Sequence, residues 1–317
     1  MKDTQPADLP ASIRQRLLNL SRRRGEDFQL TLTRYGTERL LYRLSRSERA
    51  GQFVLKGALL LPLWTGRLQR PTRDLDLLGY GDSSQQALDA LFRDICLADV
   101  PADGLAFDPD SVRVAAIRED QQYGGQRIRM VATLGSARID LQVDIGFGDV
   151  VTPAAEYIEY PSLLGLPRPR LRAYPKETVI AEKLEAMVML GMVNSRMKDF
   201  YDVWMMSAEL PFDGRMLARA IQATFERRGS ELPSTTPTAF TEEFSVDVGK
   251  GRQWNAFLSR NQLDVAGIGL PQVARQIRLF LMPPIIAAVN GQPLMQVWPA
   301  GGPWILPAAG TAGPQPA

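Results

Sequence analysis

RPTRDLDLLGYGD, residues 70–82, carries the clearest strand signal in the chain. Its Asp-Leu-Asp-Leu-Leu core alternates with period two, which puts Leu75 and Leu77 on one face and Asp74 and Asp76 on the other. Two carboxylates aimed the same way repel unless a cation lies between them, and a hard divalent ion is the natural candidate. The plainer alternative is a solvated strand end, since a lone D-x-D often arises by chance. On either side lie further short apolar runs: FVLKGALLLPLW (53–64), VRVAAI (112–117), RIRMVATL (127–134) and RIDLQVDIGF (138–147). Between them, GDSSQQALDALFRDICLAD (81–99) reads as a helix capped by Asp82 or Ser83, with Leu88, Leu91, Phe92 and Ile95 on one face. Strands mixed with helices in this order predict an α/β (α+β) fold.

Outside this sheet-bearing part the texture is helical. Residues 11–50 place Ile13, Leu17 and Leu20, then Leu30, Leu40, Leu41 and Leu44, at helical spacing. PSLLGLPRPRLRAYP (161–175) is rich in Pro and Arg and reads as a connector. Beyond it, 176–191, 197–210 and 214–229 are expected as helices, the last ending at Gly229, and two shorter ones follow the 233–238 loop. From Pro283 onward the composition falls to Pro, Gly and Ala with Trp298 and Trp304, the texture of a poorly ordered tail. The expected division is therefore an N-terminal helical segment (1–50), a mixed-sheet core (51–160), a C-terminal helical domain (161–282) and a tail (283–317).

Composition narrows the chemistry. The chain has no His and one Cys, Cys96, which removes Ser/His/Asp triads, Cys/His pairs, His-ligated zinc and intrachain disulfides. What remains is carboxylates, Lys, Arg, hydroxyls and hard metals. A formal charge of +2 supplies no global field toward nucleic acid or membrane. Of the 37 basic residues 31 are Arg, which suits bidentate phosphate contacts but equally follows from surface exchange with Lys. The first residues carry charge and Pro where a signal peptide needs an apolar run, and no apolar run reaches the ~20 residues of a membrane span. A cytoplasmic protein is expected.

Other candidates surround the acidic pair. Lys56-Gly57-Ala58 opens an apolar helical run, so a Gly turn and helix N-terminus there either cradle a phosphate or simply turn the chain. Arg67, Arg70 and Arg73 offer guanidinium groups to triphosphate oxygens. Asp140 and Asp144 share a strand face with Gln142 between them. Asp144 is the preferred third carboxylate, against the alternative that either Asp pairs with Arg138 or Arg129 across the sheet. Lys183 sits in an apolar helical sector and must snorkel or meet a buried phosphate or carboxylate. Asp199 and Asp202, three apart, share a helix face, for which surface salt bridging is the plain account. No P-loop or dinucleotide fingerprint is present.

In order along the chain, FVLKGALLLPLWTGRLQRPTRDLDLL, LQVDIGFGDVV and ETVIAEKLEAMVMLGMVNSRMKDFYDVW resemble the AbiEii/AbiGii toxin family of minimal nucleotidyltransferases. These belong to the DNA polymerase β type superfamily and include the MenT toxins. The resemblance covers about residues 50–210. It implies a small mixed-sheet nucleotidyltransferase core whose turn-plus-acidic-pair motif falls on Gly57, Asp74 and Asp76, with Lys56 in place of the usual small residue. The next acidic residue would be Asp144, the Lys of the family's A-E-K helix Lys183, and the closing K-D-x-Y-D element Asp199 and Asp202. By this resemblance Asp74, Asp76 and Asp144 would hold Mg²⁺ or Mn²⁺. Lys56, Gly57, Arg70, Thr72, Arg73 and Lys183 would bind the NTP, and Asp74, Asp76, Lys183, Asp199 and Asp202 would serve catalysis. It further implies a toxin of a toxin-antitoxin or phage-defence pair, with a separate antitoxin protein, acting on the tRNA 3′ end and so blocking translation. Arg22 to Arg24 and Arg168, Arg170 and Arg172 are then candidate RNA contacts, or simply a solvated helix end and linker. Nucleotidyl transfer to a protein side chain or small molecule, and a non-catalytic nucleotide- or RNA-binding module, are the competing readings.

Overall fold

A computed structural model describes residues 8–67, 70–117, 124–265 and 267–307. The chain forms two compact units, residues 1–148 with 156–173 and residues 149–155 with 174–317.

The first unit begins with two helices, α1 (Leu9–Arg24) and α2 (Phe28–Arg46), capped by Asp8 and Asp27. Seven strands follow: β1 (Phe53–Lys56), β2 (Asp74–Gly79), β3 (Leu105–Ile117), β4 (Gly125–Leu134), β5 (Ala137–Phe147), β6 (Glu156–Glu159) and β7 (Arg170–Ala173). They form one mixed sheet in the order β3-β4-β5-β2-β1-β7-β6, in which β2 runs parallel to β5 and β1 parallel to β7. Short helix α3 (Leu61–Thr65) follows a 3-10 turn after β1, and α4 (Gln85–Cys96) packs on β3. The α4 cap is Ser84, whose hydroxyl accepts from the Ala87 N–H, while Asp82 accepts from the Ser84 N–H one step earlier. Leu75, Leu77, Ile139, Leu141, Val143 and Ile145 are buried, as their alternation predicts. Helix α2 comes close to the sheet at Gly36, where a Cβ would stand 3.1 Å from both Ile139 and Leu141 side chains.

The segment expected as a domain connector, 161–175, instead supplies β7 to this sheet. Buried charge on α2 explains the difference. Glu38, 1% exposed, accepts from the Ser162 hydroxyl at 2.9 Å and the Leu163 N–H at 2.7 Å, and Arg39 donates to the Pro167 carbonyl at 2.8 Å. Arg39 and Arg43 also grip Asp103, at 3.1 and 2.6 Å. A Pro-rich backbone has few strand partners of its own, so side chains from α2 satisfy it and hold it in place.

The second unit is helical: α5 (Lys176–Leu190), α6 (Met197–Glu209), α7 (Gly214–Arg228), α8 (Glu242–Val246), α9 (Val248–Arg260) and α10 (Leu270–Val289). Strands β8 (Phe212–Asp213) and β9 (Val297–Trp298) pair antiparallel beside them. Helix α7 stops at Gly229, whose positive φ closes the last turn. The segment from Pro283 is not a loose tail over its described part. Helix α10 runs through Pro283 and Pro284. Proline at 284 cannot supply the N–H that the Phe280 carbonyl would receive in a regular helix, and the Trp304 indole donates to that carbonyl instead, at 2.9 Å. Trp298, 1% exposed, packs at a tilt against Phe280 with ring centres 5.1 Å apart and donates to the Ser207 carbonyl at 2.7 Å. Two aromatic anchors outweigh the low-complexity composition around them.

No helix among the described residues is long and apolar enough to cross a membrane.

Candidate functional site

In the first unit the sheet register gathers the acidic residues. Asp76 of β2 lies directly beside Asp144 of β5, and Asp74 beside Gln142, in adjacent parallel strands. Directly opposed residues share a face, so all four side chains emerge together. The Gln142 amide donates to Asp74 at 3.1 Å and reaches Asp144 at 3.5 Å. Gly57 ends β1 and turns the chain with φ +77°. Its bare Cα lies against Asp76, so a Cβ there would overlap the carboxylate. Lys56, the residue before it, is the register partner of Asp76 across the β1–β2 pair.

Sequence reasoning missed Arg127. It clamps Asp144 with two hydrogen bonds, Nε at 2.8 Å and Nη2 at 2.7 Å. Neither Arg129 nor Arg138 takes this place, because Arg129 faces Gln142 in the register and Arg138 pairs with Asp140 on the exposed edge at 2.9 Å. The signal was available. Strands β4 and β5 join through Gly135-Ser136, and counting back from Leu134 opposite Ala137 sets Arg127 opposite Asp144.

Carboxylate oxygens are the donor type that Mg²⁺ or Mn²⁺ takes, and Asp74 and Asp76 suit such an ion in chemistry. Among the described residues no group of three or more Asp, Glu, Cys or His is gathered closely enough to hold a metal. Asp144 is engaged by Arg127.

Around this pair, Thr72 and Arg70 are half-buried and Arg73 is exposed, with Arg70 donating to the Pro71 carbonyl at 3.3 Å. Arg22, Arg23 and Arg24 are exposed at the end of α1. Arg168 is exposed near Glu159, Arg170 lies over the Tyr157 ring at 5.2 Å, and Arg172 lies over Tyr80 at 5.8 Å.

The second unit holds the other candidates, and it brings three of them together. Lys183 of α5 contacts Asp199 at 2.6 Å and Asp202 at 2.8 Å, both on α6. The spacing of three residues places the two carboxylates on one helical face, and both meet the same ammonium. Lys183 is 14% exposed and Asp202 fully buried, so this is an interior triad carrying one positive and two negative charges. Of the outcomes open to a lysine in an apolar sector, the structure shows a buried carboxylate partner. On the same helix Glu182 and Glu185, with Asp149, surround Arg228 at 2.7 to 3.7 Å. Burial disfavours the Arg228 charge, but the three carboxylates outweigh it and hold its pKa above the ordinary range.

A family model described as "Nucleotidyl transferase AbiEii toxin, Type IV TA system" matches residues 39–270. Two solved structures are similar. The crystal structure of JHP933 from Helicobacter pylori has 16% identity and a TM-score of 0.46, with 80% of this chain and 90% of that chain covered. That of a candidate nucleotidyltransferase from H. pylori has 16% identity and a TM-score of 0.44, covering 80% and 93%. No curated protein matches the chain.

Proposed function

We propose a function from one premise: the chain belongs to the AbiEii family of nucleotidyl transferase toxins. It transfers NMP from an NTP to an RNA hydroxyl, with the tRNA 3′ end as the acceptor, and so stops translation in its host. The observation that carries this reading is the Gly57 turn lying against Asp76, with Asp144 alongside in the parallel neighbour strand. Such a constellation suits a reaction in which positioning and charge do most of the catalysis. The acceptor oxygen forms a bond to the α-phosphorus while the bond to the β-phosphate oxygen breaks, and pyrophosphate leaves in line.

Asp74 and Asp76 would hold a divalent cation, which when bound offsets charge on the triphosphate and lowers the pKa of an attacking hydroxyl. Gly57 lets Asp76 occupy its position over the turn. Arg127 fixes Asp144 in one orientation beside it, and Gln142 does the same for Asp74. Arg70, Thr72, Arg73 and Lys56 are the groups for the triphosphate on this unit. In the helical unit, Lys183 is held by Asp199 and Asp202 and stands where the family resemblance has its nucleotide-binding lysine. The toxin's activity would be checked in the cell by a cognate antitoxin.

The test is incubation of purified protein with total tRNA, Mg²⁺ and each labelled NTP in turn, beside Asp74→Ala and Lys183→Ala. Label on tRNA from one NTP, lost in both variants, is the expected result. Label on protein or on a small molecule moves the acceptor, and an NTP that neither binds nor reacts overturns the enzyme reading.

A further inference from the structure

Lys250, on the first turn of α9, is 7% exposed and takes no part in the groups described above. Its ammonium donates to the Asn194 carbonyl at 2.8 Å and approaches the Gln253 side-chain oxygen at 3.5 Å. It also lies 5.2 Å from the centre of the Phe244 ring. Its partners among the described residues are thus a carbonyl, an amide oxygen and a ring face, with no carboxylate. An ammonium withdrawn from water without an anion is costly, and an apolar side chain of the same length would serve stability better. Its presence calls for another account, and the residue it grips supplies one.

Asn194 is 1% exposed and sits between α5 and α6. Its side-chain oxygen accepts from the Arg196 N–H at 2.8 Å, in the turn that opens α6, and the Asp199 N–H in turn reaches the Arg196 carbonyl at 2.9 Å. Arg196, the N-cap of α6, makes no side-chain cap of its own. Asp199, in the first turn of α6, then holds Lys183. A further brace comes from Phe244, which stacks on Phe200 of the same helical turn at 5.2 Å. One chain of contacts therefore runs from the Lys250 ammonium through Asn194 and Arg196 to the start of α6 and its two carboxylates.

We infer that Lys250 is a positioning residue: it pins the Asn194 turn so that Asp199 and Asp202 present Lys183 in a fixed orientation for nucleotidyl transfer. This rests on the role proposed for Lys183 above. Lys250 acts through the turn and touches no reacting group.

The test uses Lys250→Met in the full chain, with folding followed by circular dichroism and thermal unfolding. Two readouts go beyond a structural role. The first needs no substrate: with [ε-¹³C]lysine the chain's six lysines give a sparse spectrum, and the Lys183 signal should shift in Lys250→Met. The second is kinetic: kcat should fall about ten- to hundredfold with little change in KM for the NTP. Adding Lys250→Met to Asp199→Asn should then cost less than about twofold more, because both substitutions break one route. An unmoved Lys183 signal, or kinetic losses that add, overturns the inference. If Lys250→Met does not fold, Asn194→Ala cuts the same route one step later and carries the same expectations; if neither folds, the role is structural and the inference fails. A wild-type chain that transfers no nucleotide defeats the proposed function alone, since the Lys183 signal still reports on the turn.

Discussion

Gly57→Ala tests whether Asp76 must sit where it does. Two costs are separable in the structure. Gly57 has φ +77°, and an L-residue in that region loses roughly 1–2 kcal/mol. The added Cβ would also lie 2.9 Å from the Asp76 Cγ and 3.0 Å from its Cβ. Carbon atoms rest at about 3.5–4.0 Å, so the turn and the carboxylate must part by about 0.5–1 Å, at roughly 1–3 kcal/mol of overpacking. A displacement of about 1 Å in a reacting constellation can cost about a hundredfold in rate. Gly25→Ala is the control, because Gly25 has φ +63° at the end of α1 and nothing within 4 Å of an added Cβ. It bears the backbone strain without the clash. Urea unfolding should therefore show both variants destabilised, Gly57→Ala more so, while label transfer falls about a hundredfold only in Gly57→Ala. Transfer within about threefold of wild type in Gly57→Ala, or an equal loss in Gly25→Ala, would refute the argument that this contact places the carboxylate.

Three further outcomes follow from the packing. Trp298→Ala should cost about 3–5 kcal/mol in urea unfolding, since the ring is buried beside Phe280; a loss below about 1 kcal/mol would mean the C-terminal segment is not anchored. Burial pushes the Glu38 carboxyl above its ordinary 4.5, so between the unfolded and folded values, and only there, the folded state holds a proton that the unfolded state has released. Stability should fall as pH rises from about 4.5 through the raised folded value, and Glu38→Gln should flatten that slope; an unchanged slope rejects the assignment. Lys183→Met removes the ammonium that Asp199 and Asp202 share, at a cost of about 3–5 kcal/mol. Adding Asp202→Asn should restore most of the melting temperature but none of the transfer activity, and a double variant no more stable than the single one counts against the triad.

The alternating strands were readable because one face of each is buried and the other is not. Leu75, Leu77, Val143 and Ile145 on the inner face leave Asp74, Asp76 and Asp144 no choice of side. Where the sequence misled, local composition competed with a distant partner. The Pro/Arg run 161–175 has the texture of a linker, and only the buried Glu38 and Arg39, more than a hundred positions earlier, hold it against α2 and the sheet. Likewise Pro283-Pro284 signals a helix end by every local rule. The helix continues because an indole from Trp304 fills the place of the missing N–H. Neither compensation has a periodicity that a window of sequence can show.

The candidate residues were legible to different depths in the two units. Carboxylate positions follow from strand parity, but their partners follow from register, and register needs a fixed point. The Gly135-Ser136 turn is that point, and it separates Arg127 from Arg129, which alternation alone cannot do for choosing which cation faces Asp144. On the helices, spacing alone showed that Asp199 and Asp202 share a face, not that the face meets Lys183, because helix–helix contact is a tertiary fact. That contact bears on the role proposed for Lys183. An ammonium held by two carboxylates belongs to a net negative group, so its pull on a phosphate would be weaker than a lone ammonium's, and each carboxylate would either orient Lys183 or take part in the transfer itself. Rate in Asp199→Asn and Asp202→Asn distinguishes these roles. A carboxylate that merely orients Lys183 should be replaceable by the amide with a modest loss, whereas one that must accept a proton during transfer should not.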